Sequence, residues 1–164
     1  MKLIELNEMN QNEFTEALGA IFEHSPWVAN QTWPKRPFAT REELHEAMIE
    51  TVRHSDPEKI VAFLRQHPDL GTRISMAEYS TKEQHGAGLD QLSPDEFERF
   101  AEANRRYTER FGFPFIYAVR GKGKNDIWLS LEQRIGQERE EEIAEALRQI
   151  SRITGFRISD LVVD

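Results

Sequence analysis

At 164 residues, the chain is long enough for one domain with a sizeable hydrophobic core. A net charge of −8, from 21 basic and 29 acidic residues, argues against general binding to nucleic-acid phosphates. There is no cysteine, which excludes disulfides, thiol nucleophiles, thiolate zinc sites and iron–sulfur clusters. Acidic residues interrupt residues 1–8, where a signal peptide needs an apolar run. The longest nearly unbroken apolar run, residues 113–119, is far short of the roughly 20 residues of a membrane helix. The last residues, Leu161-Val162-Val163-Asp164, match no peroxisomal or retention tripeptide. A soluble, cytoplasmic protein that binds neither nucleic acid nor membrane is expected.

The dominant pattern along the chain is helical. Phe14, Ala17, Leu18, Ile21 and Phe22 recur at the spacing of one helix face and predict a helix over 11–23. The stretch from His24 to Ala39, rich in rings and proline, reads as a packed loop. Thr40-Arg41-Glu42-Glu43 has the form of a capping box and opens a helix over 40–54 with the stripe Leu44, Ala47, Met48 and Val52. Asp56-Pro57 offers a cap followed by proline at the first helical position, so residues 57–66 form a helix. A helix over 75–85 ends near Gly86 and Gly88. Ser93-Pro94-Asp95-Glu96 starts a helix over 94–111 with Phe97, Phe100, Ala101, Tyr107 and Phe111 inward, stopped by Gly112 before Pro114. Residues 113–120 are aromatic and β-branched but have no partner strand, so they form an extended buried segment. The basic, glycine-rich 121–125 lacks P-loop spacing and reads as a flexible loop with Asn125 as the cap of a helix over 125–134. A helix over 137–154 has a solvated acidic first turn at 138–142 and the stripe Ile143, Ala146, Leu147, Ile150 and Ile153. Gly155 breaks it before a short helix over 157–162. The fold class is all-α: a single domain, 1–164, of about eight helices with one extended segment.

Five histidines are the first candidates for chemistry. His45-Glu46 begins like a zincin motif, but Ile49 stands where the second histidine is required. His45 and His54 read as solvated, and His24 and His85 have no clear role. His67 precedes Pro68, which pushes it out of helical geometry onto a rigid turn at a helix end. An unperturbed imidazole needs only small tuning to serve as acid or base near neutrality, though a histidine answering helix-end carbonyls fits the same pattern. On the helix over 75–85, Ser80, Glu83 and Gln84 share one face, offering hydroxyl, carboxylate and amide to a small polar ligand; a solvated face is the alternative. Arg157 has a fork that suits a carboxylate or a surface role. No Gly-x-Ser-x-Gly elbow, nucleophilic triad or metal-ligand spacing is visible.

Five stretches taken in order give a resemblance. They are residues 22–29 (Phe-Glu-His-Ser-Pro-Trp-Val-Ala), His67-Pro68-Asp69-Leu70-Gly71, Ser80-x-x-Glu83-Gln84-x-x-Ala87-Gly88-Leu89, Phe111-Gly112-Phe113-Pro114-Phe115-Ile116, and Val119-Arg120-Gly121-Lys122. The chain resembles, over nearly its whole length, the decarboxylases of 2-oxo-4-hydroxy-4-carboxy-5-ureidoimidazoline (OHCU), which carry out the last step from urate to (S)-allantoin. The resemblance implies an all-helical homodimer acting on a small molecule, with no cofactor and no metal. It implies that His67 is the catalytic histidine and Glu83 the acidic residue beside it. It further implies substrate binding by Pro68, by Ser80, Thr81, Lys82 and Gln84, by the backbone of Phe115, Ile116, Tyr117, Ala118 and Val119, and by Arg157. An extended segment would leave peptide groups available to the substrate. Two other readings are a non-catalytic helical binding module and a hydrolase acting on a cyclic ureide.

Overall fold

The computed structural model describes residues 1–69 and 92–164. The chain divides into two compact units, Met1–Gln66 with Ser151–Asp164, and His67–Ile150. Eight α-helices lie among the described residues: α1 (Leu3–Glu8), α2 (Gln11–Leu18), α3 (Trp27–Thr32), α4 (Arg41–Arg53), α5 (Pro57–Arg65), α6 (Pro94–Phe111), α7 (Lys124–Ile135) and α8 (Arg139–Leu161). No strand occurs among them, only one isolated bridge between Lys2 and Val163. The all-α expectation holds, and the predicted helix over 75–85 lies outside the described residues.

In the first unit, α4 starts where the hydroxyl of Thr40 accepts from the Glu43 N–H at 3.1 Å. Glu43 reaches back one residue further than a capping box requires, to the Ala39 N–H. Pro57 opens α5 as expected, but the Asp56 side chain makes no cap bond. The predicted helix over 11–23 is shorter. It ends at Leu18 with Gly19 as cap, and Ile21 and Phe22 are buried from the turns that follow. Two elements escape the periodicity argument. Helix α1 is only six residues long, and its inward set is just Leu3 and Leu6. The ring-rich stretch between α2 and α4 is packed as expected, yet it holds α3 and a 3₁₀ turn, Trp33–Lys35. That stretch is secured by polar contacts: Trp33 Nε1 donates to the Met9 carbonyl at 2.9 Å, and Asn7 and Phe38 exchange two bonds of 2.9 Å. Aromatic contacts extend to α5, where Phe63 meets Phe22 and Trp27, each at 6.0 Å between ring centroids.

The second unit contains α6, α7 and residues 139–150 of α8. Ser93 and Glu96 form the reciprocal capping box predicted for α6. At its other end Gly112 takes the left-handed conformation, φ 79°, and its N–H closes on Thr108 O at 2.8 Å. The buried face of α6 is Phe100, Ala103, Asn104, Tyr107 and Phe111. Phe97 and Ala101, expected on it, are exposed, because the face turns toward the Ala103 and Asn104 side of the helix. Residues 114–119 adopt no regular structure, and Phe113, Phe115, Ile116, Ala118 and Val119 are buried. Helix α7 is capped by Gly123, whose N–H meets Asp126 at 2.9 Å, so Asn125 lies inside the first turn and is not the cap.

Helix α8 corrects two further expectations. It runs unbroken through Gly155, and the separate helix over 157–162 does not exist. A glycine inside a helix costs about 1 kcal/mol relative to alanine, too little to end one whose buried positions continue on both sides at Ile150, Ile153 and Ile158. Its absent Cβ has a structural use: a Cβ there would lie 3.3 Å from His45 Cε1. Glu142, read as part of a solvated turn, is 1% exposed. It occupies the same face as Ala146, Gln149, Ile150 and Ile153.

Candidate active site

His67 follows the end of α5 and is 7% exposed. Its Nδ1 lies 3.1 Å from the carbonyl oxygen of Pro68. A carbonyl only accepts, so Nδ1 carries the proton in this contact. In the neutral ring the lone pair then sits on Nε2, the nitrogen able to take up a proton. The turn that Pro68 imposes therefore fixes both the place and the tautomer of the imidazole. Ser80, Thr81, Lys82, Glu83 and Gln84 lie outside the described residues.

The segment holding Phe115, Ile116, Tyr117, Ala118 and Val119 belongs to the same unit as His67. Its peptide groups are less available than expected. Ile116 O accepts from Arg134 Nη1 at 2.6 Å, the Ala118 N–H donates to Gln149 Oε1 at 3.0 Å, and Val119 O accepts from the Lys122 N–H at 2.9 Å. With no strand among the described residues to pair with, this buried stretch satisfies these groups through side chains and a turn. The expectation of a segment left free along its length is corrected accordingly. The Phe115 and Tyr117 rings stack at 6.0 Å with 12° between their planes.

Arg134, Glu142 and Tyr107 form a buried polar cluster behind this segment. Arg134 Nε donates to Glu142 Oε1 at 2.8 Å, and the two side chains are 6% and 1% exposed. The Tyr107 hydroxyl donates to the same Glu142 oxygen. Arg134 Nη2 approaches the Tyr107 oxygen at 3.4 Å, and the guanidinium lies 4.6 Å from the Phe115 ring centroid. Burial, foremost, pushes the Tyr107 hydroxyl far above the usual tyrosine range, so it remains a donor. Sequence reasoning missed this cluster. A usable signal exists, since Arg134 extends the buried spacing of Ile127 and Leu131, and Glu142 that of Ala146.

Arg157 belongs to the first unit. Its Nη1 donates to Ile21 O at 2.9 Å and its Nη2 to Glu23 Oε1 at 2.6 Å. The fork is thus oriented by the turn after α2, with its side chain still 25% exposed. His45, expected to be solvated, is half-buried instead. Its Nε2 lies 2.9 Å from Thr154 Oγ1, and burial, outweighing the nearby Glu46 carboxylate and a bond to the Ser151 backbone, holds the imidazole below its ordinary range. His54 is exposed, as predicted.

Among the described residues, no helix is long and apolar enough to cross a membrane, and no three histidines or carboxylates gather as metal ligands. Residues 7–159 match the family model for OHCU decarboxylase. The uric acid degradation bifunctional protein of Bacillus subtilis is 42% identical over 160 residues, and the chain spans 32% of that relative's length while 98% of the chain is covered. The 2-oxo-4-hydroxy-4-carboxy-5-ureidoimidazoline decarboxylase of Halalkalicoccus jeotgali is 40% identical, over 97% of this chain and 90% of that one. Among solved structures, (S)-allantoin synthase aligns with a TM-score of 0.83 at 28% identity, over 99% of this chain and 54% of that chain. A match across almost the whole sequence, carried by relatives at this identity, means that the chain belongs to the OHCU decarboxylase family.

Proposed function

We propose that this chain decarboxylates OHCU to (S)-allantoin in urate degradation. Family membership over residues 7–159 supports the reaction, and the observation that carries the residue assignment is the buried, tautomer-fixed His67. Residues 1–164 act as one decarboxylase domain, without cofactor or metal, as a cytoplasmic homodimer.

The substrate explains why no separate electron sink is needed. One ring carbon carries both carboxylate and hydroxyl, and its neighbour is the carbon of a C=N bond. When the bond to the carboxylate breaks, its electron pair forms a C=C bond between the two ring carbons. The C=N pair moves onto nitrogen, which takes a proton, and carbon dioxide leaves. The resulting enol gives up its hydroxyl proton, and the neighbouring carbon gains one to become the stereocentre of allantoin. The protein has to orient the breaking bond, move these protons and present one face of the enol.

His67 Nε2 takes the hydroxyl proton, while its Nδ1–H stays on Pro68 O and keeps the ring oriented. Glu83 orients the imidazole or a ring nitrogen of the substrate. Ser80, Thr81, Lys82, Gln84 and Arg157 hold the ureido and carboxylate ends, Pro68 packs against the ring, and the backbone of residues 115–119 bonds the ring edge.

The test is carbon dioxide release from OHCU generated in situ, with wild type, His67→Ala and Glu83→Ala, each checked for helicity. One carbon dioxide per substrate at a rate well above the spontaneous one, lost in both variants, is expected. Ring opening without carbon dioxide supports the hydrolase instead, and substrate binding with no acceleration supports the non-catalytic module.

A further inference from the structure

Two side chains hold the segment at residues 115–119, and they do so on alternate residues. Arg134 donates to the Ile116 carbonyl, and Gln149 accepts from the Ala118 N–H. In an extended chain the C=O of one residue and the N–H two residues later point to the same edge. The stacked rings of Phe115 and Tyr117, two residues apart, are what side chains on one face of an extended chain produce. Both holding groups are themselves fixed. Arg134 is locked by Glu142 and Tyr107 and lies against the Phe115 ring, and Gln149 is 7% exposed on α8.

We propose that Arg134 and Gln149 are positioning residues that clamp this segment along one edge, and so set the register in which residues 115–119 meet the substrate ring. The inference rests on the reading of residues 115–119 as substrate-binding. The need to satisfy buried peptide groups explains why bonds exist here. The clamp adds that their geometry sets the orientation of the substrate, and orientation governs both rate and the face of the enol that is protonated.

Gln149→Met keeps the length of the side chain and removes the acceptor. Gln149→Glu keeps an oxygen where Ala118 donates. Arg134→Lys keeps a cation beside Glu142 but cannot span Glu142, Tyr107 and Ile116 together. Each is assayed for kcat, KM and enantiomeric excess of allantoin, with hydrogen exchange of the Ala118 amide as the direct readout of the clamp. Gln149→Met and Arg134→Lys are expected to lose about tenfold in kcat, with KM changed less, and to lower the (S) excess, while Gln149→Glu stays within about threefold of wild type. Faster Ala118 exchange in Gln149→Met with wild-type kcat and enantiomeric excess overturns the proposal. Should Gln149→Met not fold, a tenfold loss in folded Gln149→Glu overturns it as well. A wild-type protein that does not accelerate OHCU breakdown defeats the functional assignment instead, and the two failures are thereby separate.

Discussion

Replacing Glu142 by methionine removes the carboxylate that Arg134 faces at 2.8 Å and leaves a guanidinium that is only 6% exposed. Breaking such a buried pair from one side costs about 3–5 kcal/mol, because the remaining charge keeps its desolvation penalty without its partner. The Tyr107 hydroxyl loses its acceptor in the same variant, so the upper half of that range is expected. Removing both charges, Arg134→Met with Glu142→Met, abolishes the stranded cation. It leaves Ile116 O without its Arg134 partner, at about 1–3 kcal/mol, while the Tyr107 hydroxyl lacks its Glu142 acceptor in both variants alike. The double variant should therefore be more stable than Glu142→Met alone. Equilibrium urea denaturation of wild type, both single variants and the double variant gives the cycle directly. A Glu142→Met cost below about 1 kcal/mol, or a double variant as unstable as the two single losses added, would refute the reasoning.

Three further outcomes follow from named contacts. Burial holds the His45 imidazole below its ordinary value, so between the two values the unfolded chain binds more protons than the folded one. Stability is then fully kept above the unfolded value of about 6.5 and falls as pH drops below it, and His45→Gln should flatten this slope in denaturation measured from pH 7.5 to 5. A Cβ at position 155 would lie 3.3 Å from His45 Cε1, so Gly155→Val should destabilise by about 1–3 kcal/mol, with part of the loss recovered in a His45→Ala background; equal losses in both backgrounds contradict the contact. Arg157→Lys cannot reproduce the two-pronged hold on Ile21 O and Glu23, and it should raise KM for OHCU several-fold by steady-state kinetics; an unchanged KM confines Arg157 to a structural link.

What the sequence reveals is mostly local chemistry. Thr40, Pro57, Ser93 and Gly112 mark helix ends because their effects reach only three or four residues along the chain, and the structure uses each of them so. Helices α1 and α3 were illegible because six residues hold less than two turns, too few for a period to emerge. Gly155 misled for a different reason: its value lies in what approaches it, and His45 is 110 positions away. Glu142 was hidden inside a run of acidic residues that otherwise faces outward, and only the partners from α6 and α7 reveal it as buried. The same distance effect explains the segment at residues 115–119. Its composition shows that it is buried and not helical, but not that Arg134 and Gln149 already take Ile116 O and the Ala118 N–H. For the site itself, Pro68 signals the rigid turn at His67, and the structure adds the proton position on the ring.

The central claim is that this chain turns OHCU into (S)-allantoin through His67. Circular dichroism at an allantoin band, recorded while OHCU forms in situ from urate, tests it most directly. The account predicts a rapid signal of the (S) enantiomer with wild type and none beyond the spontaneous background with folded His67→Ala. Racemic allantoin at the spontaneous rate with folded wild type would contradict it.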